Sequence, residues 1–460
     1  MTELTVQQTP IPGLLVISLP MPGDNRGWFK ENWQRQKMVA LGLPDFGPVQ
    51  NNMSFNNARG ATRGLHAEPW DKYVSLATGR IMGAWVDLRE GDSFGATFSL
   101  EMGPETAVFV PRGVANGYQA LEDGTAYTYL VNDHWSPEAR SQYTYLNLAD
   151  ETAAIAWPIG LDQAEISDAD KQHPRLADVT PMKPARTVVL GAKGQLGQSL
   201  MALLPDATGI DRNELDLADR DAVQAYNWNG VGTIINAAAY TAVDQAETEQ
   251  GRKDCWAANV HAVQNLVEVC RERRMRLAHV SSDYVFDGTV EEHDEDEAFS
   301  PLGVYGQTKA AADAIVATLP RHWIVRTSWV IGGGKNFVGI MADLAAKGVK
   351  PTVVADQHGR LTFTADLAAG IVHLLDSGAA PGTYNLTNTG EVQSWADIAK
   401  RVFELCGKPT DDVTPVSTEE YTAGKLVSPR PTHSALKLDK IIAAGFTPPP
   451  AEQRLQELLG

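Results

Sequence analysis

Hydrophobic and polar positions follow one rhythm in the first part of the chain and another after it. Up to about Asp170 the apolar residues fall in short β-branched or aromatic runs: Arg80–Arg89, Ala107–Pro111 and Tyr127–Asp133. Gly91-Asp92, Arg112-Gly113 and Asp123-Gly124 lie between or beside them, so the runs read as strands punctuated by turns. Ile81–Leu88 is largely apolar on both faces, which suits two packed sheets in a sandwich or small barrel. Tyr127, Tyr129 and Val131 alternate onto one strand face. Trp33–Leu41 reads as one short helix. From Arg186 the rhythm changes. Arg186–Leu190, Thr233–Ala239 and Met275–Val280 read as buried strands, Ala257–Arg274 and Tyr305–Leu319 as helices. Alternating strand and helix predicts a doubly wound parallel sheet with ligands at the strands' carboxyl ends. Lys171–Ala185 holds Pro174, Pro181 and Pro184 and no clear period, so 176–185 reads as a linker between domains 1–175 and 186–460.

At 460 residues the chain exceeds one ordinary core. Its 43% hydrophobic and 21% charged residues are those of a soluble globular protein. A net charge of −18 argues against nucleic acid and anionic membranes as main partners. Cys255, Cys270 and Cys406 show no metal or redox spacing, which fits a reducing compartment. Met1–Gly13 lacks the look of a leader and no apolar run reaches a membrane span, so a cytoplasmic protein is expected.

The stretch Ser281–Lys309 organises the second half. Tyr305 and Lys309 are four apart and share a helical face. The spacing predicts an ammonium near the phenol that lowers its pKa from about 10 toward neutrality. Such a phenol can give a proton to a carbonyl oxygen as hydride reaches carbon, with Ser282 bonding the same oxygen. Gly191-Ala192-Lys193-Gly194-Gln195-Leu196-Gly197 joins a strand to a helix and lets backbone N–H groups approach a pyrophosphate. Asp211 near the end of the second predicted strand favours NADH and the adjacent Arg212 favours NADPH, so both cofactors stay open. The run Glu291–Glu297 reads as a solvated acidic loop.

In the first half His66, Lys72 and the tyrosines, taken singly, read as core or edge residues. Together, Asp24–Phe29, Arg63-Gly64-Leu65-His66, Lys72-Tyr73-Val74, Val110–Gly113 and Ser167–Asp170 resemble the dTDP-4-dehydrorhamnose 3,5-epimerases over nearly all of 10–175. That resemblance implies a dimeric, metal-free cupin-type barrel. It implies His66 as general base oriented by Asp170, Lys72 as enolate stabiliser and Tyr129 as the opposing acid. Arg26, Glu31, Asn51, Arg63 and Asn116 would hold the nucleotide-sugar. The chemistry needs these types: a base near neutrality, a cation at the carbonyl oxygen and an acid across from the base. Asn116 departs from the family's histidine and cannot carry a proton, which leaves epimerisation at one carbon rather than two open. Without a His-x-His set, no metal is expected.

Gly191–Gly197, Asn236–Glu247, Ser281–Gly288, Tyr305–Lys309, Arg326–Trp329 and Asp356–Gly359 resemble the dTDP-4-dehydrorhamnose reductases across 186–460. These are extended short-chain dehydrogenases, with a Rossmann sheet and a small C-terminal substrate lobe. The resemblance implies a Ser282–Tyr305–Lys309 triad with Lys309 on the nicotinamide ribose. NADPH or NADH would lie against Gly191, Gly194, Gln195, Leu196, Gly197, Asp211, Arg212, Asp216, Leu217, Ala237, Ala238 and Ala239. Thr241, Val243, Asp283, Tyr284, Trp329 and Arg430 would face the sugar. Ser199 stands where some members carry a glutamate for magnesium, so that metal is not carried over. The two resemblances imply a bifunctional enzyme completing dTDP-L-rhamnose, dimeric through its first half. The alternatives are a single-carbon epimerase or inactive module fused to a reductase for another dTDP-6-deoxyhexose, and a non-catalytic NAD(P)H sensor.

Overall fold

The computed structural model describes residues 3–135 and 138–460. They form two compact units, Met1–Pro184 and Ala185–Gly460.

The first unit is β-rich. Its principal strands are β1 (Thr5–Gln8), β2 (Leu15–Ser18), β3 (Gln50–Asn56), β4 (Ala61–Ala67), β5 (Lys72–Thr78), β6 (Ile81–Asp87), β7 (Thr97–Met102), β8 (Thr106–Val110), β9 (Val114–Ala120) and β10 (Thr125–Val131). One sheet runs β1-β2-β8-β5-β10-β3 and a second contains β4-β9-β6-β7. The first sheet contributes Val74, Leu76, Val108 and Tyr127 to a shared core, and the second contributes Ile81, Trp85, Val114 and Tyr118. Apolar residues on both faces of β6 are thus explained, because β6 is buried almost throughout. Helix α1 (Arg35–Ala40) falls inside the predicted Trp33–Leu41. The stretch read as a linker packs instead onto this unit. Leu176, Val179 and Met182 are buried with Leu65 and Leu88, because their apolar side chains outweigh the prolines' turn signal.

The second unit is α/β. Strands β11 (Arg186–Leu190), β12 (Thr208–Ile210), β13 (Val231–Asn236), β14 (Arg276–Ser282), β15 (His322–Thr327) and β16 (Gly382–Asn385) make a six-stranded sheet in the order β12-β11-β13-β14-β15-β16. Every pairing in it is parallel. Val188 and Leu190 of β11 enter the core on one face while Val189 enters that on the other. This period-2 division is why parallel strands read as unbroken apolar runs. A further core, with Ile331, Val338, Val402 and Phe403, supports the C-terminal lobe.

Two local expectations are revised. The predicted helix from Ala257 begins with a π turn, Ala257–His261, before the α-helix Ala262–Arg273. The acidic run is only partly solvated. Glu292-His293 pairs with Ala435-Leu436, and His293 is fully buried, stacked on Phe286 and bonded to Glu297.

Candidate active sites

The first site grows from the pairing of β4 with β9, which sets His66 opposite Asn116. The strands approach closely. At Gly64, with φ +112°, an added Cβ would lie 2.6 Å from the Gly117 Cα, so only glycine fits. Asp170 arrives on helix α2 (Asp168–Lys171), capped by Ser167. Its Oδ1 lies 3.0 Å from His66 Nε2 and its Oδ2 accepts the Gly64 N–H at 3.2 Å. Burial opposes the Asp170 charge. The His66 hydrogen bond and charge, the Gly64 N–H and His173 outweigh it and hold the carboxyl below its usual value. An ionised Asp170 only accepts, so His66 Nε2 carries the proton and Nδ1 is left as the basic nitrogen.

Lys72 opens β5 and is buried. Its ammonium meets Glu68 at 2.5 Å and the Asn116 carbonyl oxygen at 2.7 Å, and lies 5.3 Å from the Tyr129 ring centre. Glu68 also accepts from the Trp70 indole at 2.6 Å. The Asn116 amide also donates to Tyr127 at 3.1 Å. Burial, then Glu68, pushes the Tyr129 phenol up to about 12.

A cavity of about 900 Å³ is lined by His66, Asp170, Tyr129, Arg63 and Glu68. Arg63 is held there by Asn56. Lys72 and Asn116 lie behind that lining. Asn51, on β3, accepts from Thr128 and is exposed away from it. Arg26 and Glu31 are not brought to the cavity either. Arg26 projects into solvent paired with Asp24, and Glu31 pairs with Lys37 beside a separate hollow. Glu68 and His173 were not singled out from sequence. His173 stacks on Tyr145 and shares Asp170 with His66, so the three offer ligand-type atoms within 4.8 Å of one another. Neither residue belongs to a motif, and only the fold joins them to His66.

The second unit frames a cavity of about 480 Å³. Gly191, Gly194, Asp211, Arg212, Asp216, Leu217 and Ala237–Ala239 line it, as expected. Gly191 takes φ +75°, and a Cβ there would sit 2.9 Å from the Ala238 backbone. Gly197, in helix α3 (Gln195–Leu203), faces the Gly191 carbonyl so closely that a Cβ would lie 2.1 Å away. The turn is therefore tight and the helix start is open, which fits a dinucleotide. Gln195 Oε1, buried and unpartnered, adds a free acceptor beside it. Gln195, Leu196 and Gly197 themselves sit behind the lining. Asp211 is engaged by both the N–H and the ammonium of Lys193, while Arg212 is 84% exposed.

Ser282 ends β14. Its hydroxyl donates to Asp283 at 3.0 Å and accepts the Tyr284 N–H. Tyr305 and Lys309 lie on helix α4 (Val304–Val316), both away from the cofactor cavity's lining. Ser282 lies beside the Tyr305 phenol and favours its ionised form, against burial. The expected lowering of that phenol is overturned: burial raises it above its ordinary value. The reason is geometric. Lys309 Nζ points to the Val280 carbonyl at 2.7 Å and to His279 Nε2 at 3.2 Å, not to the phenol. Burial brings Lys309 itself down to about 8. Asp283 is buried and pushed up to about 6.

Asn259, in the π turn, clamps the loop after β13 to helix α4. It accepts the Tyr240 N–H at 2.8 Å and donates to Thr308 at 3.0 Å. Thr241 and Val243 follow in that loop. Arg430 pairs with Asp244 at 2.9 Å and lies beside Tyr284. Trp329 adopts φ +43° and stacks on Trp395 at 3.7 Å.

Comparisons with known proteins divide at the same place. The dTDP-4-dehydrorhamnose 3,5-epimerase family matches residues 8–178, and the RmlD substrate binding domain family matches 185–460. A protein of Streptococcus pyogenes named an RmlC homolog is 51% identical over 179 residues, covering 38% of this chain and 90% of its own length. The dTDP-4-dehydrorhamnose reductase of Mycolicibacterium smegmatis is 36% identical, covering 57% of this chain and 81% of its own. The solved Bacillus anthracis dTDP-4-dehydrorhamnose reductase in complex with NADP is 33% identical, with TM-score 0.55. That match covers 60% of this chain and 98% of the bacillary one. The first unit therefore belongs to the dTDP-4-dehydrorhamnose 3,5-epimerase family, and the second to the RmlD family of dTDP-sugar reductases.

Proposed function

We propose that the chain carries out two consecutive steps on one dTDP-sugar. It inverts C3 and C5 of dTDP-4-dehydro-6-deoxy-D-glucose, then reduces the C4 ketone with NAD(P)H to give dTDP-L-rhamnose. The observation that carries the reading is the His66–Asp170 pair beside buried Lys72 in one unit, with Ser282, Tyr305 and Lys309 in the other. The order is forced by chemistry, because a proton beside the carbonyl is acidic only while the ketone exists.

In the first unit, with 1–175 closing as a cupin-like barrel, His66 Nδ1 takes the proton next to the ketone. Asp170 stabilises the imidazolium that forms. Lys72 offsets the enolate's charge, and Tyr129, which holds its proton firmly, returns it from the other face. Arg63 binds the nucleotide's phosphates. Arg26 and Glu31 would reach a sugar only in a homodimer, from the second copy.

In the second unit the nicotinamide dinucleotide supplies the hydride when bound. Gly191, Gly194 and Gly197 give it close backbone approach, and Ala237–Ala239, Asp216 and Leu217 flank it. Ser282 bonds the ketone oxygen and Tyr305 gives it a proton. Asp283, Tyr284, Trp329, Thr241, Val243 and Arg430 hold the sugar.

A second reading has its own support. Asn116 spends its hydrogen bonds on Lys72 and Tyr127 and carries no proton, which favours inversion at one carbon. A Streptomyces niveus relative of the reductase unit, 39% identical, is named a dTDP-4-keto-6-deoxy-D-glucose reductase. The test is NADPH and NADH oxidation on dTDP-4-dehydro-6-deoxy-D-glucose, wild type beside His66→Ala, with the sugar identified by NMR. Formation of dTDP-L-rhamnose by wild type alone supports the first reading. A different 6-deoxyhexose selects the second.

A further inference from the structure

Asp170 is shared by two histidines. Its Oδ1 lies 3.0 Å from His66 Nε2 and 3.9 Å from His173 Nε2. The two rings meet edge to face with centroids 5.3 Å apart. His66 lies on β4, Asp170 on α2 and His173 just beyond that helix. His173 is held from two directions. Its ring stacks on Tyr145 at 4.6 Å, and its backbone carbonyl accepts from the Asn147 amide at 2.9 Å. The Asp170 side chain is 9% exposed and that of His173 12%, while His66, at 32%, opens onto the cavity of about 900 Å³.

The epimerisation chemistry leaves His173 without a task. Its Nδ1 is buried with no hydrogen-bond partner. Its Nε2 stops short of hydrogen-bond distance from Asp170. A buried nitrogen left unpaired is a cost that calls for an offsetting role. Two imidazoles and a carboxylate are the donor set of borderline divalent ions such as Zn²⁺. Metal–ligand bonds of about 2.0–2.2 Å let one ion join atoms up to about 4.2 Å apart. Both separations from Asp170 Oδ1 are already within that reach. The three ligand-type atoms lie within 4.8 Å of one another, so the gap between the rings closes with a small side-chain shift. The cavity beside them leaves room for water to complete the shell.

We propose that His66, Asp170 and His173 bind a zinc-type divalent cation that switches off the first unit alone. The ion takes the place of the proton on His66 Nε2. That N–H bond breaks, a bond from Nε2 to the metal forms, and the proton re-forms on Nδ1. The nitrogen that takes the substrate's proton thereby loses its free pair, and Asp170, now a metal ligand, no longer steadies an imidazolium. No oxidation state changes. Mg²⁺ and Ca²⁺ prefer an all-oxygen shell and should not compete. Among the described residues no second group of this kind is found, so reduction in the other unit should continue. Binding stands apart from the proposed chemistry; the loss of epimerisation rests on the reading of His66 as base.

The test uses the full chain stripped with EDTA, with Co²⁺ as a spectroscopic probe. One equivalent of Co²⁺ should give ligand-field absorption in the visible, and Zn²⁺ should abolish it by displacement. His173→Gln should weaken both ions by about tenfold or more. Saturating Zn²⁺ should lower solvent-deuterium exchange at C3 and C5 by about tenfold or more against the same protein's metal-free rate. EDTA should restore the exchange, and Mg²⁺ should leave it unmoved. NADPH oxidation on the epimerised ketone should not respond to Zn²⁺. Should His173→Gln not fold, ¹⁵N-histidine spectra of wild type decide. Two ring signals should then move together on adding one equivalent of Zn²⁺, and one of the two should be missing in His66→Ala. Absence of the cobalt absorption, or equal affinity in wild type and His173→Gln, overturns the site. Binding with exchange intact overturns the off-switch. A metal-free wild type that exchanges nothing removes the reading of His66 as base, and the cobalt titration still decides the site.

Discussion

Each unit buries one lysine beside its chemistry, and the two are held in opposite ways. Lys72 faces a carboxylate, Glu68, and the carbonyl oxygen of Asn116. Lys309 faces a backbone carbonyl and an imidazole. A group that offsets an enolate must keep its charge through the whole reaction, and an adjacent carboxylate favours that against burial. Burial without a touching carboxylate leaves Lys309 freer to give its charge up. Burial draws both ammonium groups down, and only at Lys72 does a touching carboxylate oppose it.

The largest effects should separate the two units. His66→Ala should lower solvent-deuterium exchange at C3 and C5 by about 10²–10⁴-fold while leaving reduction of the epimerised ketone intact. Tyr305→Phe should do the reverse; loss of both activities in either variant breaks the comparison. Next, Glu68→Gln leaves the Lys72 ammonium buried without its partner. Breaking such a pair costs on the order of 3–5 kcal/mol. Calorimetry should show the first unit's transition falling and the second's unmoved; an unchanged first transition would mean Lys72 needs no carboxylate.

Asp283 sharpens the contrast, because the second unit tolerates a carboxyl that prefers its proton. Its folded pKa of about 6 lies above the unfolded value of 3.8, with burial as the main cause. The native state therefore binds more protons between those values, and stability falls as pH rises through that window. Asp283→Asn should remove this penalty, on the order of 2–3 kcal/mol at pH 7 and close to nothing at pH 3. Denaturant titrations at the two pH values check the sign. Smaller again, Gly197→Ala should weaken NADPH binding by about tenfold, since its Cβ has no room against the Gly191 carbonyl. Epimerisation should be untouched. Arg212→Ala should raise KM for NADPH by only a few-fold, roughly what one exposed charge provides, and leave NADH unchanged.

What could be read from sequence was whatever lies close together along the chain. The Gly191–Gly197 turn, the alternation of strand and helix, and the Tyr305–Lys309 pair are local patterns with a fixed geometry. Glu68 beside Lys72 is also local, yet no motif marks it. The His279–Lys309 contact needed β14 packed beneath the catalytic helix, and His173 beside His66 joins residues more than a hundred apart. The direction of the Tyr305 shift was misjudged for a related reason. Helical spacing places two side chains on one face, but it does not say which neighbour the longer one prefers. The linker reading failed because prolines mark turns whether or not the apolar residues between them are buried.

The π turn at Ala257–His261 bears on how this protein's length can vary. Removing one residue there would restore a regular α-helix with its backbone bonds intact. It would also swing Asn259 by about 100° around the axis, away from Tyr240 and Thr308 at once. A deletion harmless to the helix would uncouple the loop from α4. A gap in that segment therefore costs more than the helix by itself would show.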